Sequence, residues 1–545
     1  MVGLREMEMK VLLLVAAVCS AGGLRGSAVA DAELVAANDW DVATPILPGW
    51  GQHFWNVNAK WYIHPPAFAF TNLEGAVSYR YRVIDDVHRL FEFTADTPRE
   101  SLAPVWMKLS RQGFVTVSCW GVDAQGKTAG LAGEKTFWKR APFTPGGYPK
   151  PETSYAEAAR RAFRYINAFP CLKVLAETGK PDGSYKLNCY PTKMNAAIIQ
   201  AMIHYAQVDP SVRDEAMRLA RAAADYLIAT REPAGAPLAW FTQTYDAQNQ
   251  SHTAAKYAGQ HMLTYPAFAG RAFLGLSRAT GDAKYLDAAE RIAETYLKLQ
   301  GEDGTWYLKL WAKDGTPVNP NRLVPHAVGA FLVELAEATG KAPYRAAADR
   351  AFDYILRGPF EDWNWESQFE DIEPKPKYGS LTMVAGGTAT AEYLLKRFPD
   401  NPEIRHKVRE LLRFMEDQFI IWEKPCRADG SNIDFRDPGW KGCATWSDFP
   451  TCLEQYDWYM PTDGSVAAFI RMYLQIWKVE GNPLDLAKAK ALGDAFVRVQ
   501  FRSGRIPTQW MGSWHYASPE SDWFNCLVAD AVALEELGGF VRGSF

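Results

Sequence analysis

Histidines are few in this chain, and three of them occupy similar positions. The chain has nine histidines, and His252, His261 and His326 each precede or open an apolar stretch long enough for a helix. A single histidine in such a place is usually a cap or a buried residue with a partner, but three in equivalent places favour a shared role. Because their spacing matches no zinc signature such as H-E-x-x-H, we predict proton transfer at these residues, with no bound metal and no cofactor.

Acidic residues cluster in two connecting segments. The first, at residues 360–374, reads FEDWNWESQFEDIEP, and the second precedes the helix near residue 463. Their candidate acids are Glu366, Glu370, Asp371, Glu454, Asp457 and Asp463. Hydrolysis of a glycosidic bond needs two carboxyl groups, about 5.5 Å apart for retention or up to about 9.5 Å apart for inversion. These acids could supply that pair, although solvated loop acids and a helix cap at Asp463 are the simpler interpretation.

Paired helices must position these residues. From about residue 155 onward, an apolar helix, a Thr-Gly or Gly-Asn-Pro break and a helix with one charged face recur, as in 270–281 followed by 285–296. This alternation is typical of a double ring, because the inner helix is surrounded by protein and the outer helix faces water on one side. We predict inner helices near residues 191–207, 260–279, 324–339, 380–396, 462–480 and 523–538.

The helix pairs and their tryptophan-bearing connections, such as 304–306 and 506–510, resemble the (α/α) toroids of carbohydrate-active enzymes. Among these, the chain is most similar to polysaccharide lyases acting on uronic-acid polymers of the alginate and glucuronan type. The resemblance covers roughly residues 155–545 and implies a mainly α fold with six or seven helix pairs in an incomplete barrel. We expect the cleft at the rim formed by the loops before the inner helices. The same toroid also carries hydrolases, epimerases and cyclases, so it leaves the reaction open.

The expected rim contains the groups that a uronic-acid lyase needs. Such a lyase must neutralise the substrate carboxylate, remove the C5 proton and protonate the departing O4. The catalytic candidates are Asn195 and Arg322 for the first task, His252, His261 or the tyrosine Tyr307 for the second, and Tyr307 for the third. We therefore predict β-elimination of a uronic-acid-containing polysaccharide. The alternatives are a toroid glycoside hydrolase that uses paired Asp and Glu, and a non-catalytic glycan-binding protein.

Further polar and aromatic residues of the rim are predicted to bind this substrate. Flat rings stack on sugar faces, and cationic groups bind carboxylates. The predicted contacts are Lys193, Tyr245, Gln250, His326, Trp363, Trp365, Glu366, Gln368, Tyr456, Trp458, Arg505 and Trp510. Core packing is the competing explanation for the tryptophans, which are usually largely buried.

The N-terminal part of the chain has a different character. Residues 76–83, 90–93 and 113–120 alternate apolar and polar positions, which predicts strands. This pattern resembles a fibronectin- or immunoglobulin-like sandwich, and a Pro- and Gly-rich linker follows at 142–151. We predict a signal peptide at 1–30, a β-sandwich domain at 31–145 and the toroid at 146–545.

Composition limits the location and the partners. An apolar run at 11–18 after Lys10 and a small-residue site at 28–30 predict export, so we expect a secreted or periplasmic protein. A lipid anchor at Cys19 is less favoured because Val18 precedes it. The net charge of −4 with dispersed lysines and arginines argues against nucleic-acid binding, and no later stretch predicts a membrane span. Seven cysteines follow the signal, and one loop-closing disulfide could form among Cys426, Cys443 and Cys452.

Overall fold

A small β region and a larger helical ring make up the structure, which is a computed structural model. It describes residues 61–246, 255–362, 368–370, 384–423, 448–454, 461–510 and 522–542. The predicted signal peptide at 1–30 lies outside these ranges and stays a prediction.

The β region contains a five-stranded sheet in the order β1-β7-β6-β3-β4. Its strands are β1 (Trp61–Tyr62), β3 (Ser78–Ile84), β4 (Leu90–Ala95), β6 (Gly113–Val122) and β7 (Thr128–Lys139). Strands β2 (Ala67–Ala69) and β5 (Arg99–Ser101) pair to form an antiparallel two-stranded ribbon, and a short helix α1 (Ala103–Trp106) follows. The predicted alternation is confirmed in β3, where Tyr79, Tyr81 and Val83 are buried between exposed residues.

The ribbon packs on one face of the sheet through aromatic contacts. The ring centroids of Phe68 in β2 and Phe137 in β7 are 5.6 Å apart, and those of Phe68 and Tyr62 in β1 are 5.9 Å apart. The described residues therefore show a small sheet with a short ribbon, which is less than the two-sheet sandwich that the sequence predicts.

Helices occupy the rest of the described chain. They are α2 (Tyr155–Asn167), α3 (Pro170–Thr178), α4 (Pro191–Val208), α5 (Arg213–Thr230), α6 (Tyr265–Thr280), α7 (Ala283–Leu299), α8 (His326–Thr339), α9 (Ala342–Arg357), α10 (Pro359–Asp362), α11 (Val384–Arg397), α12 (Pro402–Phe419), α13 (Asp463–Glu480), α14 (Pro483–Val499) and α15 (Phe524–Arg542). Short strand pairs join β8 (Gln260–Met262) to β9 (Lys309–Trp311) and β10 (Ile420–Ile421) to β11 (Thr451–Cys452).

Among the described residues, six helices form a closed inner ring. Each of α4, α6, α8, α11, α13 and α15 contacts the next, and α15 returns to α4. Helices α5, α7, α9, α12 and α14 each pack outside the inner helix that precedes them, while α2 packs outside α15. The ring is closed, where the sequence predicted an incomplete barrel. The contact between α2 and α15 joins the two ends of the helical region, which no local pattern reveals.

At one end of the ring, short turns lead from inner helices to outer helices. The longer connections, from outer to inner helices, therefore lie at the other end. Gly281 and Gly481 end inner helices in the left-handed conformation, with φ of 72° and 67°, which glycine adopts without a steric cost. Asp282 and Asn482 then cap the outer helices by accepting backbone N–H bonds. The connections from outer to inner helices therefore meet where the inner helices begin, and we call this end the rim.

The β region is joined to the ring by buried hydrogen bonds to α12. Asp417 Oδ1 accepts the backbone N–H groups of Ile63 and His64 at 2.8 and 2.9 Å. The indole of Trp61 donates to the Gln418 carbonyl at 3.1 Å. Because Asp417 is fully buried, these bonds fix the start of β1 against the ring.

The cysteines of the described ranges form no disulfide. They are Cys119, Cys171, Cys189, Cys452 and Cys526. Cys426 and Cys443 lie outside the described residues, so the disulfide that the sequence allowed is not formed through Cys452. In the described part of the chain, no helix has the length and apolar character needed to cross a bilayer.

Candidate active site at the rim

A buried carboxylate lies at the rim. Glu370, in the connection before α11, forms an ion pair with Lys193 of α4, whose Nζ is 2.5 Å from Glu370 Oε1. Its other oxygen accepts the hydroxyl of Tyr265, the first residue of α6. The side chains of Lys193 and Glu370 are 19% and 8% exposed. Glu370 thus connects the starts of two neighbouring inner helices just below the surface.

The surroundings keep this pair charged. Burial opposes ionisation of Glu370, but Lys193 and the Tyr265 hydroxyl outweigh it and hold the pKa of the carboxyl below its usual range. Burial also opposes the charge on Lys193, and Glu370 outweighs it and raises the pKa of the ammonium group. Burial and the charge of Glu370 raise the pKa of Tyr265 well above its ordinary value. At neutral pH the site therefore presents a carboxylate, an ammonium group and a neutral phenol.

Tyrosines and a second lysine form a wall beside Glu370. The Tyr245 hydroxyl donates to the Glu370 carbonyl at 2.7 Å, and its ring stacks on Tyr257 with centroids 5.2 Å apart. Lys309 Nζ lies 4.1 Å from the Tyr257 ring centre and 3.5 Å from the Glu370 carbonyl oxygen. The backbone and the carboxylate of Glu370 are therefore both held in place, which suits a preorganised catalytic group.

Two further carboxyl groups lie at the start of α13 and one turn into α15. Asp463 and Asp530 are both fully buried. Asp463 Oδ1 accepts the N–H of Gly464 at 2.6 Å, whereas its Oδ2 and both oxygens of Asp530 have no hydrogen-bond partner in the described structure. Burial raises the pKa of both groups well above the usual range, and the charge of Asp463 adds to the effect on Asp530. Burial therefore favours the protonated form of these two carboxyl groups.

Lys193 and Cys526 connect the two sets of acids. The charge of Lys193 interacts with Glu370 and, more weakly, with Cys526 and Glu454. Cys526 in turn interacts with Asp463 and Asp530, and its Sγ would lie 2.9 Å from a Cβ added at Gly464. The Glu370 carboxylate and the Asp463–Asp530 carboxyl pair thus occupy the same end of the ring.

A second group of predicted residues lies beside the first. The Arg322 guanidinium is 4.4 Å from the ring centre of Tyr307, and it also forms an ion pair with Asp303 at 2.5 Å. Gln368 accepts the Val324 N–H and donates to the Arg322 carbonyl, both at 2.8 Å. Tyr307 is 39% exposed. Gln368 therefore links this group to Glu370, two residues further along the chain.

The other predicted polar residues are bound within the protein. His261 is buried and its Nε2 lies 2.9 Å from Glu232 Oε1. Asn195 is fully buried and donates to the Pro191 carbonyl of its own helix at 2.8 Å. His326 opens α8, and burial lowers the pKa of its ring to about 4, so it is neutral at pH 7.

Two predicted substrate contacts lie in the interior of the described structure. Arg505 makes a two-pronged ion pair with Asp522, at 2.6 and 2.9 Å. Trp510 is 1% exposed, donates to the Pro507 carbonyl and packs against Phe496. Nine candidate residues lie outside the described ranges, and they are Gln250, His252, Trp363, Trp365, Glu366, Asp371, Tyr456, Asp457 and Trp458.

Several site residues were missed by sequence reasoning. Tyr257 and Lys309 lie in connections where nothing distinguishes them from other polar residues. Tyr265 stands directly before Pro266 at a helix start, which is a usable signal for a first-turn residue. Asp530 interrupts the apolar run at 527–534, and an acid on the apolar face of an inner helix was the signal that could have identified it.

Comparison with known proteins gives low similarity. No family model matches the chain, and no curated protein matches it. Among solved structures, a family 76 glycoside hydrolase from a bovine Bacteroides thetaiotaomicron strain has 11% identity and a TM-score of 0.46, over 87% of this chain and 96% of that one.

Two other solved structures have similar values. The cellobiose 2-epimerase from Spirochaeta thermophila has 14% identity and a TM-score of 0.45, over 67% of this chain and 89% of that chain. An unsaturated glucuronyl hydrolase from Streptococcus agalactiae has 13% identity and a TM-score of 0.45, over 71% of this chain and 93% of that chain. These neighbours are carbohydrate-active enzymes, and at such values they do not determine the reaction of this chain.

Proposed function

We propose that this protein is a glycan-processing enzyme that hydrolyses a glycosidic bond at the rim, with Glu370 as the ionised catalytic carboxylate. The observation that carries this proposal is the Lys193–Glu370–Tyr265 cluster, an ion pair and a phenol at the start of two inner helices. A buried ion pair contributes little net stability compared with apolar side chains of the same size. Its presence in a wall of tyrosines therefore favours a catalytic purpose.

The chemistry of Glu370 fits hydrolysis better than elimination. A carboxyl group that is ionised at neutral pH can serve as the base that activates water or as a nucleophile. The phenol of Tyr265 has a raised pKa and would be a poor base for removing a C5 proton. This reverses the order in which the sequence ranked the lyase and the hydrolase.

We infer a uronic-acid-containing polysaccharide as the substrate. Lys193 and Lys309 place two cationic groups at Glu370, and the Arg322 guanidinium lies beside Tyr307 in the neighbouring group. Cationic groups bind a sugar carboxylate strongly when they are partly desolvated. Export of the chain, predicted from residues 1–30, would bring it to such polymers.

β-Elimination is the second candidate, and the Tyr307–Arg322 pair favours it. Tyr307 is exposed and stands beside a guanidinium, so it could protonate a leaving oxygen while Arg322 binds the substrate carboxylate. In this structure Asp303 already occupies Arg322, which is why hydrolysis ranks first.

Product chemistry separates the two candidates. The purified protein is incubated with neutral and uronic-acid polysaccharides, while reducing ends and the ultraviolet absorbance of a conjugated C4–C5 double bond are followed. Hydrolysis releases reducing ends without new absorbance, whereas elimination produces both. Absorbance that depends on Tyr307 would establish the second candidate.

Glu370→Gln tests the catalytic carboxylate. We expect this variant to hydrolyse about 10²- to 10⁴-fold more slowly. Glu290→Gln is the matched control, because Glu290 also bonds to a lysine and a tyrosine, Lys341 and Tyr344, but does so between outer helices. We expect the control to keep its activity. Full hydrolysis by Glu370→Gln would overturn the proposal.

A further inference from the structure

We propose that Asp463 is the proton donor of this hydrolysis and that Asp530 is the positioning residue that keeps Asp463 protonated. This inference rests on the proposed function and deepens it, because a carboxylate such as Glu370 can cleave a glycosidic bond efficiently only if another group protonates the leaving oxygen. Asp463 at the start of α13, which faces Asp530 of α15, is a described carboxyl group of the rim that can carry such a proton.

The carboxyl oxygens that have no hydrogen-bond donor indicate that Asp463 and Asp530 share a proton. Three carboxyl oxygens, Asp463 Oδ2 and both of Asp530, are buried without a donor in the described structure. Two ionised carboxylates in that position would be two unpaired buried charges, each costing several kcal/mol. One proton between them removes one charge and supplies the missing donor. When two neighbouring acids share one proton in this way, the pair loses its two protons at well-separated pH values.

Other polar groups surround the pair. Asp522 interacts with both acids; burial raises the pKa of Asp522, and two hydrogen bonds from Arg505 oppose that effect. Thr508 hydrogen-bonds to Asp463, and the uncharged thiol of Cys526 faces the pair from the first turn of α15. Lys193 and Glu454 face Cys526 from the rim. Asp522 has two donors from Arg505, whereas three oxygens of Asp463 and Asp530 have none in the described structure, so the proton is assigned to the Asp463–Asp530 pair.

Asp463 is the better placed member of the pair to donate. It is the first residue of α13, whereas Asp530 lies deeper, in the second turn of α15. After donation, the Gly464 N–H and the positive end of the α13 dipole stabilise the new carboxylate. Asp463 is fully buried in this structure, so the substrate must displace part of the rim to reach it.

The proposed step balances. As the bond between the anomeric carbon and the leaving oxygen breaks, the electron pair goes to that oxygen, which takes the Asp463 proton. Water adds to the anomeric carbon and gives its proton to the Glu370 carboxylate. Glu370 then releases that proton to solvent, and Asp463 takes one up. The sum is one water consumed and two hydroxyl-bearing sugars formed.

Infrared spectroscopy tests the shared proton without any substrate. We expect the folded protein near neutral pH to show the C=O stretch of a protonated carboxyl group, and we expect Asp530→Asn to remove or shift it. Asp494→Asn is the control, because Asp494 is also a buried acid, but it bonds to Tyr155 and Lys150 outside the inner ring. A spectrum that Asp530→Asn leaves unchanged would overturn the shared proton.

Enzyme kinetics test whether the proton of Asp463 is used in the reaction. We expect Asp463→Asn to slow the hydrolysis of sugar–sugar bonds at least about 10²-fold, but to affect nitrophenyl glycosides far less, because nitrophenolate leaves without protonation. Asp530→Asn removes the neighbouring charge, so the alkaline limb of the kcat profile should move to lower pH. If Asp463→Asn slows the hydrolysis of both substrates equally, or if Asp530→Asn leaves the alkaline limb of the kcat profile unmoved, the assignment is overturned.

If the wild-type protein hydrolyses no glycan, both the proposed function and the role of Asp463 as its proton donor fail. The infrared result then still decides whether Asp463 and Asp530 share a proton.

Discussion

Replacing Lys193 by Met should destabilise the protein in a pH-dependent way. The substitution removes the charge that holds Glu370 ionised and keeps most of the apolar volume. Breaking one side of a buried ion pair costs about 3–5 kcal/mol, but Glu370 can avoid that cost by taking a proton. Protonating a carboxyl of ordinary pKa, about 4.3, costs about 1.36 kcal/mol per pH unit above it, hence about 3.7 kcal/mol at pH 7 and about 1 kcal/mol at pH 5.

The direction of the pH dependence follows from the linkage between proton binding and folding. In the wild type, the lowered pKa of Glu370 contributes stability above the unfolded pKa, and this stability is lost as the pH falls. In Lys193→Met the folded pKa is raised, so stability is lost as the pH rises. The difference in the free energy of unfolding between the two proteins should therefore grow from about 1 kcal/mol at pH 5 to about 3–4 kcal/mol at pH 7.

Urea unfolding followed by tryptophan fluorescence at these two pH values measures the difference. Lys341→Met, at an exposed lysine paired with Glu290, is the control and should cost about 0–1 kcal/mol at either pH. Adding Glu370→Gln to Lys193→Met should restore most of the loss, because no buried charge remains. Equal losses at both pH values, or a double variant no more stable than Lys193→Met, would refute the reasoning.

Three further predictions concern other parts of the ring. Gly504→Ala should lower the free energy of unfolding by more than about 2 kcal/mol, because φ is +97° and the new Cβ would lie 2.1 Å from the Arg161 carbonyl oxygen; an unchanged thermal melt would contradict this. Arg409→Ala should cost about 3–5 kcal/mol at pH 7, since it leaves two carboxylates of α13 and α14 without their common partner; a urea-measured loss that stays the same in acid would contradict it. Because the pKa values of Asp463 and Asp530 are raised, their stabilisation is complete below the unfolded pKa and is lost as the pH rises. Asp530→Asn should therefore make the urea midpoint fall less steeply between about pH 5 and pH 8, and equal slopes in the two proteins would argue against it.

The sequence by itself determined the helices and their place in the ring. The inner helix predicted near 191–207 runs from Pro191 to Val208, and the one predicted near 462–480 runs from Asp463 to Glu480. This succeeded because an inner helix is apolar around most of its circumference and an outer helix on one face only, a difference that is local in sequence. The same pattern located the rim, and with it the candidate acids Glu370 and Asp463.

Only the tertiary structure decided which of these side chains meet. Glu370 is 177 residues from Lys193 and 105 residues from Tyr265, and Asp530 faces Asp463 from another inner helix. Arg322 and His261, ranked as catalytic from their types, bond to Asp303 and Glu232 instead. Such pairings depend on the order of helices around the ring, which the contact between α2 and α15 closes. Residue type states what a side chain can do, whereas its charge and proton depend on neighbours that only packing supplies.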